Sequence, residues 1–249
     1  MTAFTDHFAF AAQSYASYRP RYPGALFDWL ASFTPAHTRA WDCATGSGQA
    51  AVALAERYDE VIATDASIAQ LDSADKSPGV SYLAMTAEQG ALAARSVDLV
   101  TVAQALHWLD LPAFFTETDR VLRPGGALAV WSYGLLSIDP VIDALMRHFY
   151  VGILGPYWPS ARALVDTGYA GIALPYPEVA PPELSMEAMW TLTQLGGFLS
   201  TWSAVGRYRK ELGADPLPEL MGRVAAVWSG GESRRVRWPL VVRLARKPM

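Results

Sequence analysis

The sequence predicts an α/β fold with a mostly parallel sheet, and three observations support that prediction. Short apolar runs alternate with helical patterns between residues 38 and 133, which is typical of β-α-β units. The first run ends in an acid that is followed by a glycine-rich turn. With 249 residues, of which 51% are hydrophobic and 18% charged, the chain can bury the core of one large domain.

The apolar runs predict five strands, and helical patterns separate most of them. The predicted strands are residues 39–43, 61–65, 80–85, 97–104 and 127–131. The predicted helices are residues 49–58, 68–74 and 113–122. Ser67 precedes the second helix and is a residue type that caps helices. Residues 86–96, which join the third and fourth strands, show no clear pattern.

Three segments flank this core within the same domain. The divisions are an N-terminal lid (1–37), the core (38–136), a cap (137–229) and a final strand segment (230–249). Aromatic side chains near helical spacing predict that the lid is amphipathic. The cap is rich in Pro, Gly and aromatic residues, and its predicted helices are 140–151, 186–198 and 217–228. Residues 235–246 predict a strand in which Pro239 favours an edge or a bulge.

Composition excludes several classes of partner. A net charge of -4 gives no general attraction for nucleic acid or for an anionic membrane, so a small-molecule ligand is expected. Cys43 is the single cysteine, and the four histidines are dispersed, so we expect no disulfide and no metal site. Because no signal sequence and no run of about 18 apolar residues is found, we expect a cytoplasmic protein, either a monomer or a homodimer.

The most informative motif begins at Asp42 and turns through Gly46 and Gly48 into a helix. Glycines let a ligand approach the backbone beside the free N–H groups of the helix start. Asp65 ends the second strand, 19 residues after Gly46, where an acid can accept hydrogen bonds from ribose. This spacing alone fits both NAD and S-adenosylmethionine. Asp42 favours the latter, because its carboxylate repels a pyrophosphate and attracts the ammonium group of a methionine moiety.

Further segments follow the motif in a recognisable order. They are Thr86-Ala87-Glu88, Val97-Asp98-Leu99-Val100 leading to Gln104-Ala105-Leu106-His107-Trp108, and Val121-Leu122-Arg123-Pro124-Gly125-Gly126. In order and spacing, the chain resembles the class I S-adenosylmethionine-dependent methyltransferases, particularly the small-molecule branch that includes trans-aconitate methyltransferase-like proteins. The resemblance implies a Rossmann-like fold, with a mostly parallel seven-stranded sheet and helices on both faces.

The resemblance also implies roles for individual residues toward the cofactor. The residues expected around the methionine moiety are Asp42, Ala44, Gly46 and Gly48. Asp65 is expected at the ribose, and Ser67 or Ile68 at the border of the adenosine. Ala87 and Glu88 are expected at the adenine edge, and Ala103 and Gln104 at the sulfonium. Three residues of the lid are expected to cover the site: Tyr15, Tyr18 and Arg19, the last pairing the donor carboxylate.

One position departs from the family pattern. Ala44 stands where the family usually has glycine, and its methyl group is tolerable if its φ is negative.

The acceptor side rests on weaker patterns. His107 follows the fourth strand, where an imidazole titrating near neutrality can take a proton from an acceptor, although it can equally pack the loop beside Trp108. Trp158 and Trp202 are candidates for lining an acceptor pocket, as is Trp190, although core packing is the commoner role of such aromatics. Four arginines are candidates for binding an anionic acceptor, although arginines are more often solvated at the surface: Arg147, Arg162, Arg207 and Arg209. The basic segment at residues 234–247 can contact RNA. Alternating charges also protect an edge strand from pairing with other chains, and we favour this second role.

Together these features predict methyl transfer from S-adenosylmethionine to a small-molecule acceptor, with S-adenosylhomocysteine as the product. O-methylation of a carboxylate or a hydroxyl is favoured. A carboxylate needs no general base, whereas for a hydroxyl or an amine His107 is the first candidate. The alternative is a non-catalytic protein that binds the cofactor or its product. A nicotinamide-dependent oxidoreductase is opposed by Asp42 and by the later segments.

Overall fold

A computed structural model describes residues 20–228 and 233–249, and its described part is organised around one mixed sheet. The strands are β1 (Arg39–Cys43), β2 (Glu60–Asp65), β3 (Val80–Ala84), β4 (Val97–Ala103), β5 (Leu122–Tyr133), β6 (Glu178–Val179), β7 (Leu184–Trp190) and β8 (Arg234–Arg246). Their order is β3-β2-β1-β4-β5-β8-β6, with β7 also paired to β8. Strands β1 to β5 are parallel to one another, whereas β8 is antiparallel to β5, β6 and β7. The Rossmann-like fold is confirmed, with eight strands in the described residues rather than seven.

Helices cover both faces of the sheet. They are α1 (Gly24–Ala31), α2 (Gln49–Leu54), α3 (Ile68–Asp72), α4 (Leu111–Val121), α5 (Pro140–Arg147), α6 (Arg162–Asp166), α7 (Leu192–Ser200), α8 (Ser203–Leu212) and α9 (Leu217–Val227). Shorter turns are the 3-10 turns Leu106–Trp108 and Gly155–Tyr157 and the π-helical stretch His148–Ile153. Side-chain caps start four of these helices, since Ser67, Asp110, Asp139 and Thr191 accept backbone N–H groups of the first turn.

The predicted strands and helices of residues 38–136 are present with small shifts at their ends. The strand predicted at 127–131 is longer, extending from Leu122 to Tyr133. The helix predicted over 49–58 ends at Leu54, whose carbonyl then accepts the N–H groups of Arg57 and Tyr58 in a turn. Residues 86–96 contain no helix. They are held by α4 instead, where Glu117 accepts the Gly90 N–H at 2.9 Å.

The lid prediction does not apply to α1. Leu26, Phe27 and Leu30 are fully buried in the apolar core that also contains α2 and the neighbouring face of the sheet. This helix therefore belongs to the core. The aromatic residues of the predicted lid before residue 20 lie outside the described part of the chain.

The helix predicted over 186–198 is wrong in its first half. Met186 and Trp190 are buried, whereas Met189 is 60% exposed, and this alternation belongs to strand β7, which pairs with β8. The helix begins only after Thr191, which forms a reciprocal capping box with Gln194. The cap is therefore a mixture of helices and strands and is less helical than predicted.

The final strand is not an edge. Residues 240–246 of β8 pair with β5 on one side, and β6 and β7 pair with β8 along successive parts of its length. The arginines expected to protect an edge instead meet acids on those strands, as Arg237 meets Glu187 at 3.0 Å and Arg243 meets Glu178. Pro239 lies one residue before the pairing with β5 begins. Among the described helices, none is both long and apolar enough to span a bilayer.

Candidate active site

The site predicted from the sequence lies where the strand order of the sheet reverses. β1 has β2 on one side and β4 on the other, and the crevice beyond the carboxyl ends of β1 and β4 is the place where open α/β sheets bind ligands. The segments that the sequence singled out meet here because parallel strands end at the same edge of the sheet. These are the glycine turn after β1, Asp65 at the end of β2, and Gln104 after β4.

The glycine turn needs the conformations that its glycines supply. Gly46 has φ 56° and Gly48 has φ 80°, both in the left-handed region. A Cβ at Gly48 would lie 2.2 Å from the hydroxyl of Tyr82, which donates to the Asp75 carbonyl at 2.6 Å. Gly48 precedes α2, so the first N–H groups of that helix follow the turn.

Ala44 has a positive φ, whereas a negative φ would make its methyl group tolerable. Its φ is 51°, so the methyl group sits in the left-handed region rather than in the negative-φ region that would have made it tolerable. The backbone thus retains the shape that glycine usually provides. The cost is strain at this position.

Asp42 is buried beneath the turn. Its Oδ1 accepts from the Thr101 hydroxyl at 2.7 Å, and its Oδ2 accepts from the Thr45 hydroxyl at 2.5 Å. Burial raises the pKa of Asp42 to about 6, against the lowering effect of the two hydroxyl hydrogen bonds, and the charge of Asp65 adds to the increase. The carboxylate is therefore fully buried under the glycine turn. Its charge acts on the crevice through the turn and not by direct contact at the surface.

Asp65 fastens the glycine turn to the next strand. Its Oδ2 accepts the Gly46 N–H at 2.8 Å, and its Oδ1 accepts the Ser67 N–H at 2.9 Å. Ser67 is buried and caps α3, whereas the neighbouring Ile68 is 64% exposed.

The two residues expected at the adenine edge have different surroundings. Ala87 is buried. Glu88 accepts the backbone N–H of Asp110 at 3.0 Å and so joins the segment after β3 to the start of α4.

Ala103 and Gln104 end the fourth strand as predicted. Gln104 has φ 58°, a second left-handed residue that is not glycine at this edge of the sheet. Its backbone N–H is donated to the Trp131 carbonyl at 2.9 Å, and its side-chain amide is donated to the Tyr133 carbonyl at 3.3 Å. The bend after β4 is thus held by β5.

His107 faces a residue that the sequence did not suggest. Its Nδ1 lies 3.1 Å from the hydroxyl of Tyr169, and its ring packs 4.6 Å from that of Trp108, which is 40% exposed. Burial lowers the pKa of His107 to about 4, and the positive charge of Arg162 contributes in the same direction. The imidazole is therefore uncharged at neutral pH and does not titrate near neutrality as the sequence argument assumed.

The cap brings two of its three candidate tryptophans together. The rings of Trp158 and Trp202 lie 5.6 Å apart, and both contact Tyr150, at 4.7 and 5.6 Å. Trp190 packs on Trp238 instead, although Trp190 and Trp202 belong to the same apolar core and Trp158 packs against it. Of the arginines named as anion candidates, Arg162 lies in the cluster, with its guanidinium carbon 5.0 Å above the Trp158 ring.

Several residues of the site escaped the sequence argument. Thr101 had a signal, since it is a polar residue inside the apolar run of β4. Tyr169 and Tyr150 had none, because nothing in the cap pattern links them to a residue after β4. Of the predicted lid, Tyr15, Tyr18 and Arg19 lie outside the described residues. The Gln49 side chain donates to the Pro20 carbonyl at 2.9 Å, so the described N-terminal end lies against the start of α2.

The fold is that of the Rossmann-like class, and the comparisons give the family. A methyltransferase domain model matches residues 41–130. A protein of Dictyostelium discoideum named as a methyltransferase is 34% identical, covering 99% of this chain and 97% of that protein. An S-adenosylmethionine-dependent methyltransferase of Saccharomyces cerevisiae is 29% identical, covering 65% of this chain and 60% of its own length. A solved structure described as a type II methyltransferase from Anaeromyxobacter dehalogenans has a TM-score of 0.88 and 42% identity, covering 93% of this chain and 99% of that one.

The chain belongs to the class I S-adenosylmethionine-dependent methyltransferases. It is a transferase, and the predicted family is confirmed over nearly its whole length.

Proposed function

We propose that this protein binds S-adenosylmethionine at the crevice described above and transfers its methyl group to a small molecule, by O-methylation of a carboxylate or a hydroxyl. The observation that carries the proposal is the arrangement of two acids around one glycine turn: Asp42 lies under the turn, and Asp65 holds its Gly46 N–H at 2.8 Å. This arrangement supplies negative charge and backbone room, which suit a cofactor with a cationic amino-acid tail.

The residues present fit such a cofactor. Gly46 is partly exposed in the turn before α2, and the charge of Asp42 attracts an ammonium group placed there. Asp65 ends β2 beside the turn, where an acid can accept hydrogen bonds from ribose hydroxyls, and the exposed Ile68 near it offers an apolar surface to a base. The remaining proposed contacts are Ala44 at the methionine moiety, Ser67 at the adenosine, Ala87 and Glu88 at the adenine edge, Ala103 and Gln104 at the sulfonium, and Tyr15, Tyr18 and Arg19 as a cover.

The protein's task in the reaction is positioning. When bound, S-adenosylmethionine supplies a methyl group on a positively charged sulfur, and its transfer leaves S-adenosylhomocysteine. Gln104, fixed by two hydrogen bonds to β5, marks the donor side of the reaction path. His107, three residues further on, lies on the acceptor side together with the partly exposed ring of Trp108 and the cap residues Trp158 and Trp202.

His107 provides a place for the proton of a hydroxyl acceptor. If its Nδ1–H is donated to Tyr169, its Nε2 carries a free lone pair that can accept a proton from the acceptor hydroxyl as the new O–CH₃ bond forms. A carboxylate acceptor loses no proton, so its methylation needs no base. A small molecule suits this side because the net charge of -4 gives no attraction for a polyanion.

Calorimetry tests the cofactor site. We expect S-adenosylhomocysteine to bind and NAD not to bind. Gly48→Ala should abolish binding, because its Cβ would meet Tyr82 at 2.2 Å. Gly79→Ala is the matched control: Gly79 has φ 81°, and a Cβ there would have its nearest neighbour at 3.7 Å, so it bears the same backbone strain away from the turn. Equal loss of binding in both variants would contradict the proposed site.

Transfer of a labelled methyl group into a fraction of small-molecule acids and phenols tests the reaction. Incorporation that depends on the protein and disappears in Gly48→Ala supports the enzyme. Binding of S-adenosylhomocysteine without any transfer would favour a non-catalytic binding protein.

A further inference from the structure

Arg162 begins α6 and uses only one of its three guanidinium nitrogens for hydrogen bonds within the described residues. Its Nε donates to the Tyr150 hydroxyl at 2.8 Å and makes a longer contact of 3.4 Å with Asp166 Oδ1. Its Nη1 and Nη2 have no hydrogen-bond partner in the part of the chain that the structure describes. The edge of the guanidinium that forms paired hydrogen bonds is therefore free.

The guanidinium is held in place by aromatic rings. Its central carbon lies 5.0 Å from the Trp158 ring centroid and 5.7 Å from that of Tyr150, and only 25% of the side chain is exposed. The Tyr150 hydroxyl also donates to Asp166 at 2.7 Å, which fixes the ring that faces the arginine. A guanidinium fixed in this way loses little conformational freedom when it binds a ligand.

The position of Arg162 brings its guanidinium near the acceptor side of the site. Helix α6 contacts the turn Leu106–Trp108, which carries His107, and also contacts β5. The charge of Arg162 reaches both partners of the His107–Tyr169 pair: burial lowers the pKa of His107 and Arg162 adds to the decrease, while burial raises the pKa of Tyr169 and Arg162 opposes the increase.

We propose that Arg162 binds a carboxylate of the methyl acceptor through Nη1–H and Nη2–H. The inference rests on the proposed function, since it assigns the acceptor's chemical class at the same site. A carboxylate matches the spacing of the two nitrogens, which favours paired hydrogen bonds.

A single negative charge fits better than the two charges of a phosphate. Asp166 lies beside the guanidinium and repels a second negative charge, and His107 is uncharged at neutral pH and adds no positive one. The partly buried ring of Trp158 next to the arginine suits a flat body attached to the carboxylate.

Three probes of one shape test the inference: 1-naphthoate, the neutral 1-naphthamide and 1-naphthyl phosphate. Calorimetry at millimolar concentrations, with and without S-adenosylhomocysteine, measures each Kd. We expect naphthoate to bind at least about tenfold more tightly than naphthamide and more tightly than the phosphate. Arg162→Gln should weaken naphthoate about 10- to 100-fold, as the loss of a charged hydrogen-bond pair predicts. Arg147→Gln, at an exposed arginine of the same cap, should leave it unchanged.

Asp166→Asn gives an independent measurement. If Arg162 binds the carboxylate, removing the neighbouring negative charge should tighten naphthoate severalfold, whereas a purely structural Arg162–Asp166 pair predicts no change or weaker binding. This variant decides the question if Arg162→Gln does not fold, which thermal unfolding would reveal.

The inference is overturned if naphthoate does not bind, if naphthoate and naphthamide bind equally, if the phosphate binds more tightly, or if Asp166→Asn fails to tighten naphthoate. Binding of S-adenosylhomocysteine with no discrimination among the probes would reject the carboxylate site and leave the methyltransferase site intact. Failure of S-adenosylhomocysteine to bind would reject the proposed cofactor site, and the measurements without it would still decide the role of Arg162.

Discussion

Ala44 and Gln104 follow the neighbouring strands β1 and β4 in the same left-handed conformation, with φ of 51° and 58°. Neither residue is glycine, so each costs about 1 kcal/mol or more relative to an ordinary conformation. Two strained residues at the switch point of the sheet place stored strain where the cofactor is proposed to bind. This strain is open to measurement at Ala44, where the side chain is only a methyl group.

Ala44→Gly should stabilise the protein. Glycine adopts φ near 51° without strain, and this gain of about 1 kcal/mol outweighs part or all of the extra entropy that glycine brings to the unfolded chain. We expect the free energy of unfolding to rise by up to about 1 kcal/mol in urea denaturation. Ala53→Gly, inside helix α2, is the control and should lower it by about 1 kcal/mol. A destabilised Ala44→Gly variant would disprove the strain at this position.

Asp42 should make the protein less stable as the pH rises through the weakly acidic range. Its folded pKa of about 6 exceeds its ordinary value of 3.8, so the folded state binds the proton more tightly. The free energy of unfolding contributed by this group therefore falls between about pH 4 and about pH 6, by up to about 3 kcal/mol. Asp42→Asn, which can keep both threonine contacts, should remove that dependence, as measured by urea denaturation across this range.

The exposed Asp72 of α3 provides the comparison for Asp42. Asp72→Asn removes an exposed carboxyl and so controls for the loss of one negative charge. Asp42→Asn should also weaken S-adenosylhomocysteine about tenfold or more, because the charge under the glycine turn is lost. A profile that Asp42→Asn does not alter would show that the carboxyl is not buried as described.

His107 should remain uncharged well below neutral pH. Its folded pKa of about 4 lies below its ordinary value of 6.5, so the stability that this group contributes is lost as the pH falls from about 6.5 toward 4. An NMR titration of the imidazole should give a midpoint near 4, and Tyr169→Phe should keep it low because burial is the main cause. A midpoint near 6.5 would contradict the buried environment.

The catalytic role of His107 has a separate test. With a hydroxyl acceptor, His107→Ala should lower turnover about 100-fold while the affinity for S-adenosylhomocysteine stays within about twofold, since the ring lies on the acceptor side. Turnover from labelled donor and calorimetry together measure the two effects. A large loss of cofactor affinity would place His107 in the cofactor site instead.

Arg243 should act as a positioning residue for the acceptor side. From β8 it donates to the carbonyls of Tyr169 and Ile172 at 2.5 and 2.7 Å, and it pairs with Glu178. Arg243→Met should destabilise the protein by about 2 kcal/mol and speed hydrogen exchange at residues 169–172, with little change in S-adenosylhomocysteine affinity. Arg237→Met, at an exposed ion pair of the same strand, should cost less than about 1 kcal/mol. Similar exchange rates in the two variants would remove this role.

The core of the fold was predictable because its strands are short, buried and bounded by polar residues. The strand at residues 39–43 lies where the sequence placed it, since its apolar run has clear limits. The sequence predicts a helix at residues 186–190 because their apolar pattern does not by itself distinguish a helix from a strand. Their partner in β8 lies about fifty residues away, and pairing with it decides for a strand.

The placement of the proposed site residues at one edge of the sheet was predictable, but the surroundings of their side chains were not. The spacing from Gly46 to Asp65 identified the acids and the turn, whereas the burial of Asp42 depends on Thr101, 59 residues further along the chain. The low pKa of His107 likewise arises from burial in the folded cap and from a charge on α6. The φ of Ala44 had no local signal, because alanine normally avoids that conformation.

Strand β8 sets an order of assembly on the molecule. During synthesis, β1 to β5 and every element of the cap leave the ribosome before residues 234–246, yet β5, β6 and β7 all pair with those residues. Until β8 emerges, β5 has an open edge and the cap strands have no sheet to join, which leaves backbone hydrogen-bonding groups exposed to other chains. The half of the protein that would hold the cofactor can thus form early, while the half that faces the acceptor is completed by one late strand.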